Sequence, residues 1–272
     1  MNETVPTSPP RAQAVWNFTP LPHVARVIAI ASGKGGVGKS TATVNLALAL
    51  AKAGKRVGIL DADIYGPSIP GMLGLRSHPH PDIIDGKMQP LIGMNIATMS
   101  MGFITKGQAA VLRGPMITKT LTQFLRGVAW GSNDAPLDFL LIDLPPGTGD
   151  VPLSLAQTVP LDGAIIITTP QEVAVADADK ATQMFLKLKV KLLGVIENMS
   201  YFTDPTGKAH HLFGEGGGKG LASKYDIPFL GELPLDPALG AAADKGENYL
   251  SDHPDSEVMQ AYKIIASGLI AG

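Results

Sequence analysis

Short apolar runs alternate along the chain with longer stretches whose apolar positions recur every three to four residues. The runs at 26–32, 56–60, 139–142, 164–168 and 192–196 are apolar nearly throughout, as strands buried on both faces are. Phe229 and its neighbours suggest one strand more. The stretches at 39–53, 118–128, 174–187, 219–224 and 256–269 read as helices, and Gly54 ends the first of them. Residues 82–103 read as extended segments around the turn Ile84-Asp85-Gly86-Lys87. This alternation predicts an α/β fold, a mostly parallel sheet with helices on both faces. No internal repeat is visible. Residues 25–272 are expected to form a single domain, with 1–24 as a flexible leader from which Trp16 or Phe18 docks on the body.

The strand at 26–32 runs into "SGKGGVGKST", residues 32–41. Gly33, Gly38, Lys39 and Ser40 fit the spacing G-x-x-x-x-G-K-[ST] between a strand and a helix, which is the context of a phosphate-binding loop. Backbone N–H groups of Gly35, Gly36, Val37 and Gly38 are expected around phosphate oxygens, with the helix N-terminus adding partial positive charge. Lys39 is assigned to the β- and γ-phosphates, Ser40 to Mg²⁺ and Thr41 to the α-phosphate, so ATP and Mg²⁺ are the expected ligands. Lys34 is a second lysine that most such loops lack.

Three further segments fit the same site. "DADIYGPS" places Asp61 and Asp63 just after the second strand, where carboxylates suit Mg²⁺ and water; a turn-capping role is the alternative for each. "DFLLIDLPPGTGD" ends a buried strand in Asp143, a Walker B pattern whose carboxylate reaches Mg²⁺ through water. Asn198 in "GVIENMS" suits an adenine edge, since an amide both donates and accepts, although a strand-terminal turn would also use it. The backbone around Pro234 in "GELPLDP" offers a wall for the base. "GEGGGKG" at 214–220 has neither the spacing nor the strand of a second phosphate loop, and reads as a lead into the next helix.

The loop with Lys34 resembles the deviant Walker A motif KGGVGK[ST] of the MinD/ParA/nitrogenase-iron-protein class of P-loop NTPases. That resemblance implies a homodimer across the nucleotide site, with Lys34 reaching the partner's phosphates. It also implies that Asp63 orients or deprotonates the attacking water and that Asp61 supports the magnesium shell. "DIYGPS", "RGPM" at 113–116, "DLPPGTGD", "TTPQEVAVADADK" and "ENMSYF" narrow the resemblance to the Mrp/ApbC family, from about Val24 to the end. Those proteins are associated with carrying iron–sulfur clusters to apoproteins. The resemblance therefore implies a Mg²⁺-dependent ATPase in iron–sulfur protein maturation, with apo iron–sulfur proteins as clients.

Many of these relatives follow "ENMSYF" with a C-x-x-C pair that bridges a cluster between two subunits. Here Asp204 and Gly207 stand at those places, and the chain has no cysteine at all. No cluster ligand is therefore assigned; an aspartate and a glycine replace soft thiolates poorly. His210 and His211 are adjacent in a polar loop and read as solvated.

Charge bears on the rival reading, a MinD/ParA-like spatial organiser that binds membrane or DNA by ATP-dependent dimerisation. Lys and Arg number 22 against 24 Asp and Glu, so the net charge of −2 points to no nucleic-acid partner. The stretch at 256–272 holds one cation, Lys263, and reads as a core-packing helix rather than a membrane-binding one. No apolar run approaches the roughly 18–20 residues of a membrane span, and the start lacks a secretory pattern. A cytoplasmic protein is the default expectation.

Overall fold

The computed structural model describes residues 19–64, 66–77, 80–105, 114–149, 152–155 and 161–272. The expected leader contacts of Trp16 and Phe18, and Arg113 of "RGPM", lie outside the described residues.

Seven strands align in parallel: β1 (Val24–Ser32), β2 (Val57–Asp61), β6 (Ile96–Ser100), β7 (Leu137–Asp143), β8 (Gly163–Thr168), β9 (Leu192–Glu197) and β12 (Phe229–Glu232). The eighth, β5 (Leu91–Gly93), pairs antiparallel with β6 at one edge. The order across the sheet is β12-β9-β8-β1-β7-β2-β6-β5. Every residue of β2, β6, β8 and β9 is buried, which explains the unbroken apolar runs in the sequence. Two small hairpins stand apart, β3 (Ile83–Ile84) with β4 (Lys87–Met88) and β10 (Phe202–Thr203) with β11 (Ala209–His210). Asp85 and Gly86, at φ 51° and 75°, turn the first of these as the sequence predicts. Met94 and Asn95, at φ 50° and 65°, make the same kind of turn between β5 and β6 without a glycine.

The long helices begin or end a few residues from their predicted bounds. They are α1 (Lys39–Lys52), α4 (Gly114–Gly127), α5 (Glu172–Lys187), α6 (Gly217–Lys224) and α9 (Glu257–Ala271). The sequence pattern missed α2 (Ile69–Met72), α3 (Gly102–Thr105), α7 (Pro237–Lys245) and α8 (Tyr249–Asp252), which are too short or too mixed for a periodic signal. From β1 the chain crosses through α1 toward β2, and from β8 through α5 the opposite way to β9. Right-handed crossovers in opposite directions put α1 and α5 on opposite faces. α9 packs on α1, and α6 on α5. α1 is buried from Ala42 to Leu50, because the sheet covers one side and α9 another. No helix among the described residues is long and apolar enough to cross a membrane.

Arg26 fastens the last helix to the first strand. Its guanidinium donates to the Leu269 carbonyl at 2.6 Å and lies 5.3 Å from the centre of the Phe139 ring. A cation at a helix C-terminus also meets the negative end of the helix dipole. Arg26→Ala is expected to lower stability by about 1–2 kcal/mol, read as an earlier urea midpoint at unchanged slope.

Candidate nucleotide site

The sheet order brings the candidate residues together at the carboxyl ends of three adjacent strands. β7 lies between β1 and β2, with Asp143 in register with Ile30 on one side and Asp61 on the other. Ligands of open α/β sheets bind at such strand ends. β1 ends at Ser32 and the loop 33–38 turns directly into α1. Gly36 and Gly38 hold φ 83° and 78°, a region that side chains other than glycine strain to reach. A Cβ on Gly38 would also strike the Asn198 amide, and one on Gly33 would strike the backbone of α5 at Asp177 and Ala178. Both motif glycines are thus demanded by close approach.

Asp143 is fully buried and gathers three donors. Lys39 Nζ and Ser40 Oγ each lie 2.7 Å from its Oδ2, and Thr43 Oγ1 donates to Oδ1 at 2.7 Å. The Lys39–Asp143 ion pair is itself buried, with 6% and 0% of the side chains exposed. Removing one partner of such a pair costs about 3–5 kcal/mol, since the other is left charged in a dry site. Thr43 is a site residue that the motif did not reveal. It follows Lys39 by one helical turn, and that spacing is its only signal in the sequence.

Asp61 is also fully buried, beside Asp143. Ser100 Oγ donates to its Oδ2 at 2.9 Å and the Asp63 N–H to its Oδ1 at 3.2 Å. Burial, and then the negative charge of Asp143, push its pKa up to about 8, against the pull of those donors and of Lys39. Ser100, at the end of β6, was missed because nothing in its local sequence marks it.

A cavity of about 260 Å³ opens over the loop, lined by Lys34, Gly35, Gly36, Gly38, Lys39, Ser40, Thr41 and Asp63, with Ser68 and Pro146. Lys34 and Asp63, 29 residues apart in sequence, therefore face one space. Val37 is buried beneath the loop, and its carbonyl accepts from Asn198 Nδ2 at 2.8 Å. Asn198 thus braces the phosphate loop. Pro234 lies elsewhere: it is buried and lines a separate cavity of about 200 Å³ with Phe202 and Asp236. The backbone still joins the two segments, through Ser200 N–H to Leu233 O at 3.0 Å and Leu235 N–H to Tyr201 O at 2.7 Å.

The family profile described as ParA, NUBPL iron-transfer P-loop NTPase matches residues 23–270. The chain belongs to that family. An iron–sulfur cluster carrier protein of Deinococcus radiodurans is 49% identical over 251 residues, which span 92% of this chain and 70% of the relative. A solved nucleotide-binding protein of Archaeoglobus fulgidus, in complex with ADP and with cobalt, is 43% identical at a TM-score of 0.73, covering 84% of this chain and 90% of that one. The cell-division protein MinD of Aquifex aeolicus is 25% identical at a TM-score of 0.64, covering 91% and 98%. The P-loop NTPase fold, and nucleotide hydrolysis as the family's general chemistry, follow from these matches.

In this P-loop NTPase the segment after "ENMSYF" is the β10–β11 hairpin, and Asp204 closes it. Its carboxylate accepts from the Thr206 N–H at 2.8 Å, the Thr206 hydroxyl at 2.6 Å and the Lys208 N–H at 3.1 Å. His210 Nε2 lies 2.7 Å from the same carboxylate, and these donors hold its pKa well below the ordinary range. His211 turns instead to the Ser200 carbonyl at 3.0 Å. The two histidines do not converge, and no cluster of three or more His, Asp or Glu among the described residues is placed to hold a metal ion. Glu197, buried at the end of β9, joins the segments around this hairpin. It accepts from the Gly218 N–H at 2.5 Å and from Ser200 Oγ at 2.7 Å.

The Asp61 shift sets a pH dependence. An unfolded Asp61 titrates at its ordinary 3.8 and the folded one at about 8. Between those values the native state holds a proton that the unfolded chain has lost, so stability falls as pH rises. Urea unfolding of the nucleotide-free protein between pH 5 and 8 is expected to show that fall, and Asp61→Asn to flatten it. An equal slope in the variant would place the titrating group elsewhere.

Proposed function

We propose that this chain is a Mg²⁺-dependent ATPase that works as a homodimer in the maturation of iron–sulfur proteins. The observation that carries the reading is that Lys39, Ser40 and Asp63 line one cavity at the strand ends of a family member, with the buried Asp143 bonded to Lys39 and Ser40 and Asp61 beside it in register. The chain from β1 at Val24 to residue 272 acts as the ATPase domain, with the residues before it as a leader and the cytoplasm as the site of action.

The loop N–H groups of Gly33 to Gly38 cradle phosphate, and Lys39 leaves Asp143 for the β- and γ-phosphates. The donors Ser40, Asp143 and Asp61 are hard oxygens, the kind that Mg²⁺ prefers, so the residues fit that cation. Mg²⁺, when bound, neutralises charge developing on the phosphates. Thr41 supports the α-phosphate. Asp63 lines the same cavity and accepts the proton of the attacking water. Asn198 presents its remaining amide capacity to the adenine edge while it braces Val37.

The cluster is cargo in this reading, and the chain's own donors do not fit it. There is no cysteine, and Asp204 is spent on the hairpin. The protein therefore acts on apo iron–sulfur clients without holding a cluster through its own thiols. Anaerobic incubation with iron and sulfide, then desalting, is expected to leave no stoichiometric iron or cluster absorbance on the chain, while maturation of an iron–sulfur protein in cells lacking it falls. Retention of about one cluster per dimer would overturn the thiol-free reading. The spatial-organiser alternative finds no footing in α9, whose single cation is Lys263.

Lys34 reaches the partner subunit's phosphates, so its loss spares binding within one subunit. Lys34→Ala is expected to bind ATP within about three-fold of wild type, yet to hydrolyse it at least about 100-fold more slowly and to stay monomeric with ATP. Calorimetry, phosphate release and sedimentation check the three parts. Wild-type turnover, or loss of ATP affinity in the monomer, would remove the trans role.

A further inference from the structure

β12 is the outer strand of the main sheet; its inner side pairs with β9, and no strand among the described residues covers its outer side. Such an edge offers free backbone groups to an added strand. α9 packs against β12, and a groove of about 390 Å³ lies between them. Its apolar lining includes Leu230 and Ile264, and Ile264 is 69% exposed. Its charged lining is of one sign: Glu232, Asp255 and Glu257, with no lysine or arginine. Among the described residues neither the Glu232 nor the Asp255 carboxylate has a hydrogen-bond or ion-pair partner. Among the described residues the Glu257 carboxylate accepts only a neutral hydroxyl, that of Thr203 at 2.9 Å. Tyr201, which lines the same groove, registers this uncompensated charge. Burial first, then Glu257 and Glu232, raise its phenol above the ordinary value.

We infer that this groove docks an extended segment of a partner protein in which lysines or arginines flank apolar residues. The open edge of β12 supplies main-chain pairing, and strand addition at such an edge is a general mode of peptide capture. β12 has four residues, which at about 3.3 Å each match a segment of about four residues. Ile264 and Leu230 take its apolar side chains, and the three carboxylates meet its cations. Opposite charge also steers the encounter, and an acidic segment is repelled. The Thr203–Glu257 bond ties the groove to the β10–β11 hairpin, so the docked partner lies against that hairpin.

The probe is a fluorescein-labelled hexapeptide of alternating lysine and valine, titrated by the full chain and followed by anisotropy. Its glutamate–valine counterpart serves as the control. The lysine peptide is expected to bind and the glutamate peptide not. Glu232→Lys, at a half-buried position, and Ile264→Asp, at an exposed one, both checked for native circular dichroism, are expected to weaken binding by about ten-fold each. Glu247→Lys, at an exposed glutamate outside the groove, is expected to change it by less than about two-fold. Equal binding of both peptides, an equal loss in Glu247→Lys, or wild-type affinity in both Glu232→Lys and Ile264→Asp would overturn the proposal.

Discussion

The buried carboxylate of Asp143 holds the nucleotide site in shape. It sits at the end of a strand, wholly shielded from the surface, and is satisfied by an ammonium and two hydroxyls, all from the first turns of α1. A carboxylate in so dry a place is tolerable only with such partners. The phosphate loop is thereby tied to β7 at one end, and Asn198 ties it to β9 at Val37. Two strand ends from different parts of the chain thus clamp the loop, and a side chain on Gly38 would strike the Asn198 brace.

The same carboxylate shapes the chemistry around it. Asp61 lies alongside, and its burial, then the negative charge of Asp143, favour a proton on Asp61 against the pull of Lys39. A divalent cation suits that imbalance, and the serine hydroxyl and two carboxylates are the oxygen donors it prefers. In the proposed function phosphate draws Lys39 and Ser40 away from Asp143, so nucleotide and carboxylate compete for the same donors. That competition, on the same proposal, gives the strand ends a direct means to register the state of the nucleotide.

The hairpin after β9 shows how a fold keeps a position while changing its use. Asp204 stands where the resemblance places a thiolate, and it closes a turn by accepting two backbone N–H groups and a hydroxyl. Such a turn needs a short polar side chain, which aspartate supplies and a metal-binding thiolate does not. The family membership and the missing ligands are therefore compatible: sheet and phosphate loop belong to the family, while the hairpin has its own local logic.

Much of this was legible in the sequence, because it rests on short-range patterns. The apolar runs of β1, β7, β8 and β9 are read from hydrophobicity alone, since both faces of a parallel sheet are covered. The loop 33–41 is read from spacing, because phosphate binding needs small residues and a lysine at set positions along one turn. What the tertiary structure decided depends on pairing between distant segments. Strand order made Asp61 and Asp143 neighbours and brought Ser100 to Asp61, and no local pattern records which strands will lie side by side. The same is true of Asn198, whose amide braces a loop 161 residues away, and of the acidic groove between β12 and α9. Hydrophobic periodicity specifies which face of an element is buried; only packing specifies which side chains then meet.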